Sequence, residues 1–197
     1  AITSFLSDLY GVTQFDTTID IGANIGNHSL YFHRISKKIY AFEPNPKTFE
    51  LLKFNTKKHS SIKLFNNGLS NLNDVINLNE PPLNIGGSYI DSTYDSYIDQ
   101  AEIKIHKASV RKLDDINELN QENISLIKID VEGHEFEVLE GARNVIMQNK
   151  PIIIFEHNIG TNKNNIEDIE RFLQNQEYTF FKINRNFDFV SNTFYKI

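Results

Sequence analysis

The chain of 197 residues contains no cysteine. That absence excludes disulfides, thiolate zinc sites, iron–sulfur clusters and any cysteine nucleophile, and it leaves the redox compartment open. No apolar run reaches the ~18 residues that a membrane-spanning helix needs. The opening stretch, AITSFLSDLYGVTQF, lacks a basic end followed by an apolar core, so no signal peptide is expected and the expected compartment is the cytoplasm. Positive charge is in deficit: 20 Lys and Arg stand against 26 Asp and Glu, a net charge of -6. A sequence-blind nucleic-acid binder draws its affinity from releasing counterions around phosphates, so this balance argues against nucleic acid as a partner. Apolar residues are plentiful, 40% of the chain with 15 Phe and 8 Tyr, a composition that folds around a core. The length suits one domain, expected to span residues 1–197.

Strand-like and helix-like segments alternate along the chain. Residues 17–22 (TTIDIG) form a short apolar run closing on glycine. Residues 38–43 (KIYAFE), 62–65, 124–131 (ISLIKIDV) and 151–157 (PIIIFEH) also have strand patterns, the last apolar almost throughout, as in a strand buried on both faces. Helical spacing marks 27–36 through Leu30, Tyr31, Arg34 and Ile35, and 134–148 through Phe136, Leu139, Ala142 and Ile146. Another helix carries Ile166, Ile169 and Leu173. Asn45-Pro46 opens a further one: Asn caps free amides, and Pro at the first helical position forfeits no hydrogen bond. Phe49, Leu51 and Leu52 are its predicted buried face. Two closing strands, 178–184 and 187–195, are close enough to pair antiparallel. Segment 72–110 differs: it is polar, carries Pro81-Pro82 and Gly86-Gly87, and is expected to hold a variable insert of short strands and loops, with AEIKIHKASV a half-exposed strand. The predicted fold class is α/β, a Rossmann-like, doubly wound and mostly parallel sheet with an antiparallel C-terminal strand pair.

In such sheets a ligand sits at the carboxyl ends of the strands. The first such end reads Asp20-Ile21-Gly22-Ala23-Asn24-Ile25-Gly26. Gly22 permits a tight turn, Gly26 lets the following helix pack closely, and Asn24 tolerates the left-handed conformation better than other non-glycine residues. Glu43 ends the next strand about 20 residues beyond the loop, the spacing at which a carboxylate accepts both hydroxyls of a ribose. A dinucleotide loop carries a second glycine and receives a pyrophosphate, whereas here Asp20 precedes the first glycine by two places and would repel one. An ammonium-bearing, cationic nucleoside suits the loop better: the acidic trio Asp20, Glu43 and Asp130 fits S-adenosylmethionine rather than NAD.

DIGANIGNHSLYF (20–32), AFEPNP (41–46), NNGLS (66–70), KLDDI (112–116), LIKIDVEGHEFEVLEGA (126–142) and PIIIFEHN (151–158) resemble, in order, the motifs of the FkbM-type methyltransferases. The resemblance implies a class I methyltransferase fold, S-adenosylmethionine as methyl donor, and O-methylation of a hydroxyl, frequently on a sugar or polyketide-like molecule. It implies that Asp20, Gly22, Ala23, Asn24 and Gly26 line the donor's methionine end and loop, and that Glu43 holds the ribose. Pro44 and Asn45 would flank the adenine, with Asn67 and Gly68 nearby, and Asp130 would face the donor's reactive end or the acceptor.

Methyl transfer from a sulfonium is a direct displacement, in which the protein aligns the acceptor oxygen and removes its proton. Lys128, Asp130 and Glu132 alternate along one predicted strand and would share a face. His134 follows, with a pKa that is ordinarily near neutrality, and Glu156 and His157 end the fifth strand on the same rim. Asp130, Glu132, His134 and Glu156 are therefore the candidate catalytic or acceptor-contacting residues. Their structural alternatives are carboxylates held by backbone amides and Lys128, and a histidine capping the helix start. A divalent cation is compatible with these groups, but no ligand spacing specifies one, and no metal ligand is assigned. His33, His59 and His106 are isolated in sequence and are expected to be surface or packing residues. Asn79-Glu80-Pro81-Pro82-Leu83 lies outside the core pattern of amino-group methyltransferases, and methylation at cytosine C5 would need the missing cysteine. The expected partner is a small-molecule or sugar acceptor. Two alternatives remain at this level: an NAD-dependent oxidoreductase and a non-catalytic nucleoside-binding module.

Overall fold

The computed structural model describes residues 14–80, 89–90, 104–157, 163–184 and 192–195. Its first half runs β1 (Phe15–Ile21), α1 (Asn27–Phe32), β2 (Ser36–Phe42), α2 (Pro46–Thr56), β3 (Ile62–Phe65) and β4 (Gly68–Leu69). There follow β5 (Asp74–Glu80), β6 (Tyr89–Ile90), β7 (Lys104–Arg111), two short 3-10 turns and β8 (Ile124–Ile129). The chain continues through α3 (Glu135–Gly141), α4 (Arg143–Asn149), β9 (Ile152–His157), α5 (Lys163–Gln174), β10 (Phe181–Asn184) and β11 (Asn192–Tyr195).

Among the described residues the main sheet has the order β3-β2-β1-β8-β9-β11-β10. The five strands from β3 to β9 are parallel, and β11 runs antiparallel between β9 and β10. Central strands read as near-continuous apolar runs because helices cover both faces. Ile19 and Ile21 of β1, Tyr40 and Phe42 of β2, and Ile127 and Ile129 of β8 pack with Val138, Leu139, Ile146, Ile169 and Leu173 from α3, α4 and α5. On the other face Ile39, Ala41, Leu126 and Ile154 meet Phe32 of α1 and Leu52 of α2. Burying each such side chain is worth about 1.5–3 kcal/mol, so the alternating faces hold both helical layers in place. This is the doubly wound α/β sheet with the antiparallel C-terminal pair that the periodicity predicts.

Local signals account for several boundaries. Asn45 is the cap of α2: its Oδ1 accepts from the amides of Lys47 at 3.0 Å and Thr48 at 3.3 Å, with Pro46 in the first turn. Leu52 is fully buried as expected, but Leu51, also expected inside, is 50% exposed. The helix predicted over 27–36 stops at Phe32, and Ser36 already belongs to β2. The single helix predicted over 134–148 is two, α3 and α4, broken at Ala142 (φ -110, ψ 11). Gly141 at the break lies so close to the chain after β4 that a Cβ there would stand 1.9 Å from the carbonyl oxygen of Ser70. Of the closing strands, residues 187–191 lie outside the described residues.

The segment after β3 builds a second, mixed sheet in the order β4-β7-β5-β6. β5 and β7 pair antiparallel from Asp74↔Val110 to Glu80↔Lys104. Ala108 and Val110 are buried while Ile105 is 63% exposed, the half-exposed alternation expected of β7. β5 is longer and more regular than its polar composition suggests. Glu80 ties this sheet to the start of α2: it accepts from Asn45 Nδ2 at 2.9 Å, and Lys47 Nζ at 3.2 Å and His106 Nε2 at 2.9 Å lie against it. Burial works against the Glu80 charge, but Asn45, Lys47 and His106 outweigh it and hold the pKa below the usual carboxylate value. His106 is thus not isolated; nor are His33 and His59, whose rings lie 4.3 Å apart. No helix among the described residues is long and apolar enough to cross a membrane.

Candidate active site

The loop after β1 holds three left-handed residues in five: Gly22 (φ 69), Asn24 (φ 51) and Gly26 (φ 94). The conformation that the sequence assigns to Asn24 is the one observed, and its side chain supports the turn by accepting from the Ile25 amide at 2.7 Å. Gly22 is required on two counts, since a Cβ would also lie 1.8 Å from the Asp130 carbonyl oxygen. The loops after β1 and β8 are therefore in backbone contact. A Cβ on Gly26 would stand 2.7 Å from Leu52 Cδ1, so this glycine admits α2 rather than only the helix that follows it. Amides of Gly22 and Ala23 both donate to the Phe42 carbonyl, at 3.1 and 2.9 Å, which lays the loop across the end of β2.

Glu43 stands immediately beyond that end and is 6% exposed. One oxygen accepts from the Asn24 amide at 2.9 Å and the other from the Asn45 amide at 2.8 Å. Burial pushes its pKa up to about 7, with the two amides and Lys128 opposing and Asp20 adding to the rise. Asn45 is fully buried: its side chain is committed to the cap and to Glu80, its amide to Glu43 and its carbonyl to the Phe49 amide. Pro44 is half-buried, and Asn67 and Gly68 are buried at the start of β4, with Asn67 Nδ2 donating to the Gly68 carbonyl at 2.8 Å. Asn66, the first residue of the NNGLS motif but one to which the resemblance gives no role, is exposed and donates to the Glu43 carbonyl at 2.9 Å.

Asp20 is fully buried. It accepts from Ser29 Oγ at 2.5 Å and lies 3.2 Å from Lys128 Nζ. It therefore sits beneath the loop, its charge already met by a cation, rather than open at the loop entrance. Lys128 also lies 3.5 Å from Asp130, whose side chain is 33% exposed. Burial opposes the Lys128 charge, but Asp20 and Asp130 outweigh it and raise the pKa above the ordinary lysine value.

The expected alternation of Lys128, Asp130 and Glu132 along one strand does not hold. β8 ends at Ile129, and Glu132 (φ 51) and Gly133 (φ 98) form a left-handed turn. The following acid, Glu135, is 2% exposed and accepts from the Gly133 amide at 2.9 Å. Burial pushes it up to about 7, and the charges of Asp130 and Glu132 add to the rise. In the sequence Glu135 is only the first residue of a helix; its two-residue spacing from Gly133 is the available signal. His134 makes no side-chain cap to α3. Its Nε2 lies 2.9 Å from Ser70 Oγ and its Nδ1 3.4 Å from Glu137 Oε2, so it joins the turn after β8 to the end of β4. Burial lowers its pKa against the opposing charge of Glu137. Glu156 and His157 end β9, one and two residues beyond the Ile129↔Phe155 pair, opposite Thr193 and Asn192 of β11. Their side chains lie outside the described residues. No group of three or more His, Asp or Glu able to hold a metal ion is found among the described residues.

The site thus gathers the ends of β1, β2 and β8 and the start of β4. The family model described as the methyltransferase FkbM domain matches residues 20–180. A hexuronic acid methyltransferase of Haloferax volcanii is 30% identical over 178 residues, 89% of this chain and 69% of the relative. Methyltransferase 1 of Beauveria bassiana is 31% identical over 158 residues, 70% of this chain and 64% of the relative. Among solved structures, the FkbM methyltransferase of Methylobacillus flagellatus superposes with a TM-score of 0.70 at 18% identity, covering 98% of this chain and 46% of that one. A Streptococcus mutans protein solved in complex with SAH has a TM-score of 0.55 at 12% identity, with 100% and 96% of the two chains covered. At these identities the structures show a shared fold. The chain spans less than two-thirds of the Beauveria relative and under half of the Methylobacillus structure.

Proposed function

The chain belongs to the FkbM methyltransferase family, and from that premise we propose that it transfers a methyl group from S-adenosylmethionine to a hydroxyl of a sugar or other small molecule. The observation that carries the proposal is the clamp between the first two strand ends: the left-handed loop Gly22–Gly26 with its Asn24 amide on the Glu43 carboxylate. The donor set fits the ligand. Glu43 is buried, acceptor-rich and of the right kind for two ribose hydroxyls, and Pro44, Asn67 and Gly68 border the place of the adenine. Asp130 on the rim supplies negative charge for a cationic donor, Asp20 supports the loop from below while matched by Lys128, and Gly22, Ala23, Asn24 and Gly26 shape the loop that receives the donor. When bound, S-adenosylmethionine supplies an electrophilic methyl group.

The chain's own residues then do two things. They orient the acceptor oxygen, which needs reacting atoms about 3–3.5 Å apart, and they take its proton as the bond forms. In this proposal the proton passes to a carboxylate of the Asp130–Glu132 turn. Glu156, at the end of β9, contacts the acceptor, and His134 holds the turn through Ser70. Support for a sugar acceptor comes from the Haloferax relative, whose name specifies hexuronic acid. The test is mass spectrometry of a panel of sugars and glycans after incubation with isotopically labelled donor. Label recovered as a methyl ether supports the proposal; label recovered on nitrogen, or only as a methyl ester, rules out the hydroxyl as target.

A further inference from the structure

Lys128 is 4% exposed in the middle of a parallel sheet, on a strand whose neighbours Leu126, Ile127 and Ile129 are all apolar. A buried ammonium is costly unless paired and hydrogen-bonded. Here it is both. Nζ donates to the Gly22 carbonyl at 2.8 Å and the Ile21 carbonyl at 3.3 Å. It also lies between Asp20 Oδ1 at 3.2 Å and Asp130 Oδ2 at 3.5 Å. One compact three-proton cation therefore touches the end of β1, the first glycine of the loop and the acid after β8. The charged groups around it are Asp20 from β1, Asp130 from its own strand's exit and, at longer range, Glu43 from β2.

We propose that Lys128 is a positioning residue for the donor site: its ammonium fixes the Ile21 and Gly22 carbonyls and the Asp130 carboxylate, and by matching Asp20 it leaves Asp130 as the carboxylate that faces the cleft. This rests on the proposed donor. A loop held from beneath is shaped before its ligand arrives, and ordering then subtracts less from affinity. Lys128 touches neither reacting atom; it acts through the loop and Asp130.

The experiment is calorimetric titration with S-adenosylhomocysteine of the parent and of the double substitution Lys128→Met with Asp20→Asn. The double substitution removes both charges of the buried pair and keeps the net charge. The expected result is a folded variant whose S-adenosylhomocysteine affinity falls at least ~10-fold. Parental affinity in the folded double variant overturns the role of Lys128. Should the double variant not fold, the parent carries the test: the ¹⁵N resonance of the Lys128 side chain is expected to move when S-adenosylhomocysteine is added, and an unmoved resonance at saturation overturns the role. A parent that binds no S-adenosylhomocysteine overturns the proposed donor itself together with this inference. Binding by the parent, matched by equal binding in the double variant, overturns the Lys128 role alone.

Discussion

Replacing Glu135 by glutamine removes a pH-dependent weakness from the fold. The carboxyl is 2% exposed and is pushed from 4.5 to about 7, first by burial and then by the charges of Asp130 and Glu132. Because the folded state binds this proton more tightly than the unfolded chain, the associated stability is fully present below 4.5 and is lost as pH rises through about 7. At ~1.4 kcal/mol per pKa unit the whole shift corresponds to about 3 kcal/mol, of which about 2 kcal/mol falls between roughly pH 5.5 and pH 8.5. Glutamine retains an oxygen for the Gly133 amide and carries no charge. The assay is urea unfolding of parent and Glu135→Gln at those two pH values. The parent is expected to lose about 2 kcal/mol more than the variant on going to the higher pH. Glu43, also raised to about 7, titrates in both proteins and cancels in the comparison. Parallel pH profiles for the two proteins would refute the assignment of a raised, desolvated carboxyl to Glu135.

Gly22→Ala places a Cβ 1.8 Å from the Asp130 carbonyl at φ 69, and a stability loss of at least ~2 kcal/mol is expected in thermal unfolding. Glu43→Ala is expected to weaken S-adenosylhomocysteine binding roughly 10–100-fold, the worth of hydrogen bonds to a charged group. In the parent, that binding favours the ionised Glu43, so calorimetry should show affinity falling by up to ~10-fold per pH unit below about 7 and levelling off above it; a flat profile counts against Glu43 as the ribose acceptor. His134→Ala leaves Ser70 without its imidazole partner and is expected to cost about 1–3 kcal/mol of stability with donor affinity preserved. Glu132→Gln is expected to lower turnover with S-adenosylhomocysteine affinity unchanged, and unaltered turnover would remove Glu132 as the proton acceptor.

Features governed by short stretches of chain were legible. Asn45-Pro46 announces the cap of α2 because the capping bonds reach only two and three residues ahead. Asn24 sits left-handed for the reason that its residue type tolerates that backbone, and Glu43 meets the loop because the βαβ unit returns the second strand beside the first. Features governed by distant contacts were not. Helical periodicity runs unbroken from 134 to 148, but the segment divides at Ala142, beside a Gly141 whose missing Cβ makes room for the Ser70 carbonyl. Alternation places Glu132 in line with Lys128, but β8 ends early in a left-handed turn. Asp20 looks like an open acid at the mouth of a loop; that it lies buried depends on Ser29 and Lys128 arriving from other elements.

By itself the sequence determined the doubly wound α/β class, the glycine loop with the Glu43 carboxylate beside it, and membership of a methyl-transferring family, and the missing cysteine closed one route of methyl transfer. These follow from residue type and local spacing, which the chain carries without folding. The tertiary structure decided how charge is distributed. Lys128 and Ile21 stand 107 residues apart in the chain and 3.3 Å apart in space. Only that approach buries a cation between Asp20 and Asp130 and exposes one acid while covering the other. The raised carboxyls of Glu43 and Glu135 have the same origin. Desolvation and neighbouring charge set a pKa, and both are properties of what the fold packs around a residue, not of the residues beside it in the chain.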